Sequence, residues 1–260
     1  MILRTGPNVG YFLHAWRFLT SIPVPVTSTY SPTPLELGPS LKYFSLVGLV
    51  LGLLWAISDW AFRQILPLPV ATALLLAVQA ITTGALHLDG LADTCDGLFL
   101  SGGPERRLEV MRDSRIGVFG TVGLVTVLLI KYSSIVSLSA EPRFVAIIEI
   151  GTISRWAMGL AVQRYPYARE HGLGTSFKMG AGPIDVIISS IVAISADLLL
   201  FGPRGILVVA WAWLWSWISA SFILSRLPGL TGDTYGAISE VVEIAVLLLL
   251  AGMSHTGLFP

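Results

Sequence analysis

The chain has 260 residues, of which 54% are apolar and only 12% charged, and its 16 basic and 16 acidic side chains balance to zero. Soluble domains average about 25% charged residues, so this chain lacks the charge to cover a water-facing surface, and a globular enzyme on a single membrane anchor is excluded. The balance offers no basic groove, so nucleic acid is not expected as a partner, and the lone Cys95 builds neither an internal disulfide nor a zinc cluster.

Residues 1–10 lack the basic start, apolar core and small-residue cleavage site of a signal peptide, and no processing is expected there. From Tyr11 to Leu19 the chain is apolar, with His14 and Arg17 on one face, which suits a short interfacial or re-entrant helix. Pro23, Pro25, Pro32, Pro34 and Pro39 then argue against regular helix up to about residue 40. Apolar runs long enough to span a bilayer follow at 41–62, 66–88, 117–139, 144–162, 184–201, 205–225 and 237–253. Water-free surroundings leave helices as the only spanning structure here, so the expectation is an all-α, polytopic bundle of about seven transmembrane helices forming one domain over 1–260.

Three connections are short, around Arg63, Arg143 and Arg204; three are longer and polar, at 89–116, 164–183 and 226–236. Alternation puts the three polar loops on one side with residues 1–40. That side carries Arg4, Arg17, Lys42, Arg106, Arg107, Arg112, Arg115, Arg164, Arg169, Lys178 and Arg226, against three arginines opposite. Basic loops stay inside, so a cytoplasmic (inner) membrane location with the polar loops facing the cytoplasm is expected.

The densest chemistry lies in His87-Leu-Asp89-Gly-Leu-Ala-Asp93-Thr-Cys-Asp96-Gly97. On a helix, Asp89, Asp93 and Asp96 share a face at i, i+4 and i+7. Three crowded carboxylates at the end of an apolar span are costly unless a cation joins them, and Mg²⁺, a hard ion that shares carboxylates with substrate phosphates, is the natural candidate. Asp113 and Arg115 abut the next span beside Gly117 and Gly120, where a carboxylate could complete a metal site and a cation could neutralise phosphate. The charges of Glu105, Arg106 and Glu109 suit a solvated face.

The second loop offers Tyr167, Arg169, Gly172, Gly174 and Lys178: a ring to stack on a base, cations for phosphates, and glycines that free backbone N–H groups. The third, with Thr231, Asp233 and Gly236, leads to Glu240 and Glu243 on one helix face. His87 could serve as general acid or base, or simply pack. Glu149 and Arg155, alone within one span, are expected to meet partners on other helices, and the alternating Trp211, Trp213, Trp215 and Trp217 to pack or face lipid.

Four stretches, His87–Gly97, Met111-Arg-Asp-Ser-Arg-Ile-Gly117, Tyr167-Ala-Arg-Glu-His-Gly-Leu-Gly174 and Thr231-Gly-Asp-Thr-Tyr-Gly-Ala237, resemble the cobalamin synthase family, the adenosylcobinamide-GDP ribazoletransferases. The likeness runs from Phe18 to the last span, departing at Ser21, where the family often has Arg, and at Ser45, where it often has Pro. The resemblance implies that α-ribazole or its 5′-phosphate attacks the diphosphate of adenosylcobinamide-GDP, with Mg²⁺, closing the nucleotide loop of vitamin B12 and releasing GMP. On that expectation Asp89, Asp93, Asp96 and Asp113 hold metal, and Asp96 or His87 accepts the hydroxyl proton. Arg115, Tyr167, Arg169 and Lys178 hold substrate, and Asp233 and Glu240 bind metal or ribazole. The rivals are another intramembrane diphosphate enzyme, of CDP-alcohol phosphotransferase or prenyltransferase type, and a transporter; a homo-oligomer is left open.

Overall fold

A computed structural model describes residues 7–24, 37–169 and 172–259. Helices α1 (Pro7–Leu19), α2 (Phe44–Phe62, preceded by a 3₁₀ turn at Gly38–Tyr43), α3 (Leu68–Thr83) and α4 (Leu86–Phe99) are followed by the short α5 (Pro104–Val110). Then come α6 (Val118–Ser137), α7 (Ala140–Arg164), α8 (Leu173–Gly180), α9 (Pro183–Phe201), α10 (Gly205–Leu224) and α11 (Gly232–His255). Among the described residues there is no strand, and the β-type pairing is an isolated bridge between Tyr167 and Leu230.

This is an all-α polytopic membrane bundle, and each expected apolar run is helical. Five stretches are long and apolar enough to cross a bilayer, and a sixth forms if α3 and α4 are taken together. One of the five, Pro183–Leu224, contains both runs expected at 184–201 and 205–225. The chain doubles back within it, because a Cβ at Gly205 would strike the backbone of Asp197. The run expected at 66–88 is not continuous. Gly84 (φ 60°) and Ala85 (φ 55°) both adopt the left-handed conformation, and α4 leaves α3 at 90°. Gly84 is a favourable helix stop, but Ala85 is held there against its preference.

α7 is the central helix, buried along nearly its full length. Its partner α2 crosses it at Gly48, Gly52 and Gly151, where a Cβ would meet the opposite backbone, a small-residue crossing suited to lipid surroundings. Ser45, one of the two departures from the family pattern, is buried there, with its hydroxyl 2.6 Å from that of Ser189. Outward faces are apolar: Val118, Val122 and Leu129 on α6 and Leu199, Ile206, Trp213 and Trp217 on α9 and α10 are exposed. Trp211 and Trp215 instead pack together, and Trp211 donates to the Ala245 carbonyl at 2.9 Å.

Candidate active site

The polar loops meet at one end of the bundle. Loop residues before α8 and before α11 form a short parallel bridge: Ala168 N–H donates to the Leu230 carbonyl, and Leu230 N–H to the Pro166 carbonyl, both at 2.8 Å. Gly229 permits this, since a Cβ would hit the Pro166–Ala168 backbone. Thr231 caps α11 by accepting the Thr234 N–H at 3.2 Å, and Thr234 Oγ1 accepts the Thr231 N–H at 2.8 Å, so the helix starts at Gly232, five residues before the apolar run expected at 237. Asp233 therefore sits in the first turn of α11, where helix N–H groups favour an anion.

Against that turn lies α4. Gly90 contacts the Asp233 backbone so closely that a Cβ would sit 2.6 Å from the Asp233 carbonyl oxygen, and Gly236 approaches His87 in the same way. The glycines of both motifs thus let two helices cross at backbone contact. A cavity of about 240 Å³ opens beside this crossing. His87 and Asp89 from α4, Tyr167 and Arg169 from the second loop, and Asp233 and Tyr235 from α11 line it, with Phe18, Met158, Val162 and Phe177 as its apolar wall.

Tyr167 is fixed over Gly174, whose missing side chain leaves the space its ring fills, and stacks near Tyr235 with centroids 6.1 Å apart and planes at 21°. Burial raises the Tyr167 phenol above its ordinary pKa, so it faces the cavity as a neutral hydroxyl. Arg169 donates from Nη2 to Asp233 Oδ2 at 2.7 Å. Asp93, half-buried one turn beyond Asp89, feels the repulsion of Asp89, Asp233 and Asp96, offset by Arg169.

Five sequence-expected residues, His87, Asp89, Tyr167, Arg169 and Asp233, thus share one cavity, with Asp93 beside it. The others are placed differently. Asp96 turns toward α6: its two oxygens accept the N–H groups of Gly117 at 2.7 Å and Gly120 at 2.9 Å, capping that helix. Asp113 pairs with Arg115 at 2.6 Å in an exposed loop, and Arg115's hydrogen bonds pull its pKa down to about 2. Lys178 donates to the carbonyls of Tyr165, Val162 and Gln163, closing the C-terminus of α7, and burial lowers its pKa. Glu240 is buried in the bundle, 2.6 Å from Lys131.

The carboxylates of Asp89, Asp93 and Asp233 are hard oxygen donors crowded at one place with one compensating arginine, which suits Mg²⁺. Among the described residues no group of three His, Cys, Asp or Glu closes on a metal by itself. Mg²⁺ ordinarily takes one or two protein carboxylates and completes its shell with waters and substrate phosphates, so this donor set fits a metal that arrives with a diphosphate. Asp96 and Asp113, as placed, stand outside it.

Phe18, Phe177 and Tyr235 escaped the sequence reading as site residues. Tyr235 had a signal, since it stands inside the Thr231–Ala237 motif; Phe18 and Phe177 reach the cavity through an aromatic cluster with Phe44 that only tertiary packing creates.

Comparison with known proteins agrees over nearly the whole chain. The model of the cobalamin-5-phosphate synthase family matches residues 11–251. An adenosylcobinamide-GDP ribazoletransferase from Geotalea daltonii is 40% identical over 94% of this chain and 97% of its own length. Enzymes of the same name from Desulforamulus reducens (41% identity, 83% of this chain, 86% of its own) and Escherichia coli (35%, 90% and 96%) are similar. No solved structure matches the chain.

Proposed function

Because the chain belongs to the cobalamin-5-phosphate synthase family, we infer that it is an adenosylcobinamide-GDP ribazoletransferase acting in assembly of the cobalamin nucleotide loop. In this reaction a hydroxyl of α-ribazole or of its 5′-phosphate attacks the phosphorus borne by cobinamide. The bond to the bridging oxygen breaks, and GMP leaves with that oxygen. Phosphoryl transfer of this kind needs positioning and charge neutralisation more than covalent help.

The observation that carries the reading is the convergence of Asp89, Arg169 and Asp233 with Tyr167 and His87 around one cavity. Asp89 and Asp93, with Asp233, would hold Mg²⁺, whose charge would neutralise the diphosphate and make its bridging oxygen a better leaving group. Arg169 steadies a phosphate. A volume of about 240 Å³ falls below the roughly 300–1,000 Å³ usual for whole drug-sized ligands. The cavity therefore takes the ribazole base, against Tyr167 and Tyr235, and leaves the corrin outside. Arg115 and Asp113 pair with each other in an exposed loop and are not part of the cavity lining.

The basic residues of the polar loops favour a cytoplasmic-membrane enzyme with this end facing the cytoplasm; a cysteine-accessibility scan in which the two long loops label from opposite faces would overturn that topology. The activity itself is tested by incubating purified protein with adenosylcobinamide-GDP, α-ribazole and Mg²⁺ and following GMP. No GMP release, with both substrates intact, would sink the reading.

A further inference from the structure

Below the cavity a chain of buried charges joins three helices. Arg155 on α7 is 1% exposed; its Nη1 donates to Glu243 on α11 and lies 2.7 Å from the Ser154 hydroxyl, and its Nη2 lies 3.1 Å from His87 Nδ1 at the start of α4. The other oxygen of Glu243 takes Lys131 Nζ of α6 at 2.6 Å, and Lys131 also meets Glu240 at 2.6 Å. Glu243 and Lys131 thereby fix the guanidinium from the side away from the cavity.

A guanidinium has only donors and keeps its charge in proteins. The contact between Arg155 and His87 accordingly makes Nδ1 the acceptor, and the neutral ring carries its proton on Nε2. That Nε2 is buried and has no hydrogen-bond partner among the described residues, while His87 forms part of the cavity wall. A buried donor is costly to leave unsatisfied, so a bound group is the partner the fold reserves for it.

We propose that Arg155 is a positioning residue that holds His87 as its Nε2–H tautomer, so that His87 gives a hydrogen bond to an anionic phosphate oxygen of the substrate. His87 is then a donor and not the acceptor of the ribazole hydroxyl proton. The proposal rests on the diphosphate-transferase reading of the cavity for the identity of the acceptor, but not for the tautomer.

The decisive measurement is ¹⁵N NMR of the full-length protein, labelled at histidine and held in lipid bilayers, with the His87 signals assigned by their absence in His87→Gln. A protonated Nε2 and bare Nδ1 are expected; the reverse tautomer overturns the proposal. This spectrum needs no turnover, so it decides the tautomer whether or not GMP is released. Kinetics give the second arm. His87→Ala should lower kcat by about 10²–10³-fold, the usual cost of one transition-state donor. His87→Gln places an amide N–H near Nε2 and cannot relay a proton, so it should recover at least tenfold of that loss. A Gln variant as slow as the Ala variant would identify His87 as a proton acceptor and overturn the assignment. Arg155→Lys keeps a cation for Glu243 but loses the second N–H; its His87 signals should show mixed tautomers, with kcat reduced and KM within about threefold. Unchanged His87 signals in that variant would also refute the role of Arg155.

Discussion

Asp93 and Asp96 stand three residues apart on α4 and look equivalent, yet they should respond oppositely to neutralisation. Asp96 accepts two backbone N–H groups at the start of α6, from Gly117 at 2.7 Å and Gly120 at 2.9 Å. Each charge-assisted bond is worth roughly 1.5–3 kcal/mol, but Asp96 is only half-buried and water can refill part of the lost capping. The Asp96→Ala substitution is therefore expected to cost about 2–4 kcal/mol, close to two strong helix caps. At roughly 2–4 °C per kcal/mol for a chain of this size, the Tm of the purified protein falls by about 5–15 °C. Asp96→Asn keeps one acceptor oxygen and falls by about half as much.

Asp93 accepts no such bond among the described residues, and burial and the nearby Asp89, Asp233 and Asp96 work against its charge more than Arg169 offsets them, so Asp93→Asn should leave Tm unchanged or raise it, while GMP release drops by orders of magnitude. The assay is thermal unfolding in one detergent alongside GMP release. Gly120→Ala gives an internal control, because its Cβ would collide with the Asp96 carboxylate and should reproduce the loss of Tm. An Asp96→Ala protein as thermostable as the parent would refute the capping role and return Asp96 to the metal-binding set.

Gly90→Ala puts a Cβ 2.6 Å from the Asp233 carbonyl; prying α4 from α11 should cost about 1–3 kcal/mol and slow GMP release, and a fully active, equally stable variant would show that the backbone contact is dispensable. Lys178→Met removes the cap on the α7 carbonyls, so Tm should fall, by about 1–2 kcal/mol of stability, with KM for both substrates little changed; a large rise in KM would instead put Lys178 on a phosphate. Chelation with EDTA should abolish GMP release and added Mg²⁺ restore it, whereas activity that survives exhaustive chelation would remove the metal from the mechanism.

The apolar runs were legible because lipid imposes one rule, a continuous stretch of about 20 apolar residues, and the helices begin and end close to them. The break between α3 and α4 was hidden by the same rule, since 66–88 stays apolar through Gly84 and Ala85 and hydropathy carries no dihedral information. Local spacing put Asp89, Asp93 and Asp96 on one face, and the helix agrees. It could not tell which of them faces the cavity and which faces the N-terminus of α6, because that depends on Gly117 and Gly120, more than twenty residues away. Lys178 and Glu240 failed to join the cavity for a related reason. A lone charge in a sequence shows that it needs a partner, not whether the partner is a ligand or the bundle itself.

The buried charges separate by what their partners leave unsatisfied. Asp59 at the far end of the bundle is closed off by Arg63, at 2.8 Å, and by Arg143, which also donates to Thr72 and the Ile135 carbonyl. Such pairs recover about what their desolvation costs, so they contribute more to fixing helix register than to net stability. Glu149 and Asp197, fully buried on α7 and α9, set carboxyl against carboxyl, and no arginine or lysine pairs with either among the described residues. Lys131, Glu243 and Arg155 are nearly as buried as Asp59 and Arg143, but their chain ends at His87, whose Nδ1 meets Arg155 and whose buried Nε2 has no hydrogen-bond partner among the described residues. Register fixed by Glu243 thus sets the position of Arg155, and Arg155 sets which His87 nitrogen bears the proton. The same ion pairs that align α6, α7 and α11 in the bilayer would therefore orient the donor in the cavity, which explains why charge so scarce in this chain is placed beneath the site and not only around it.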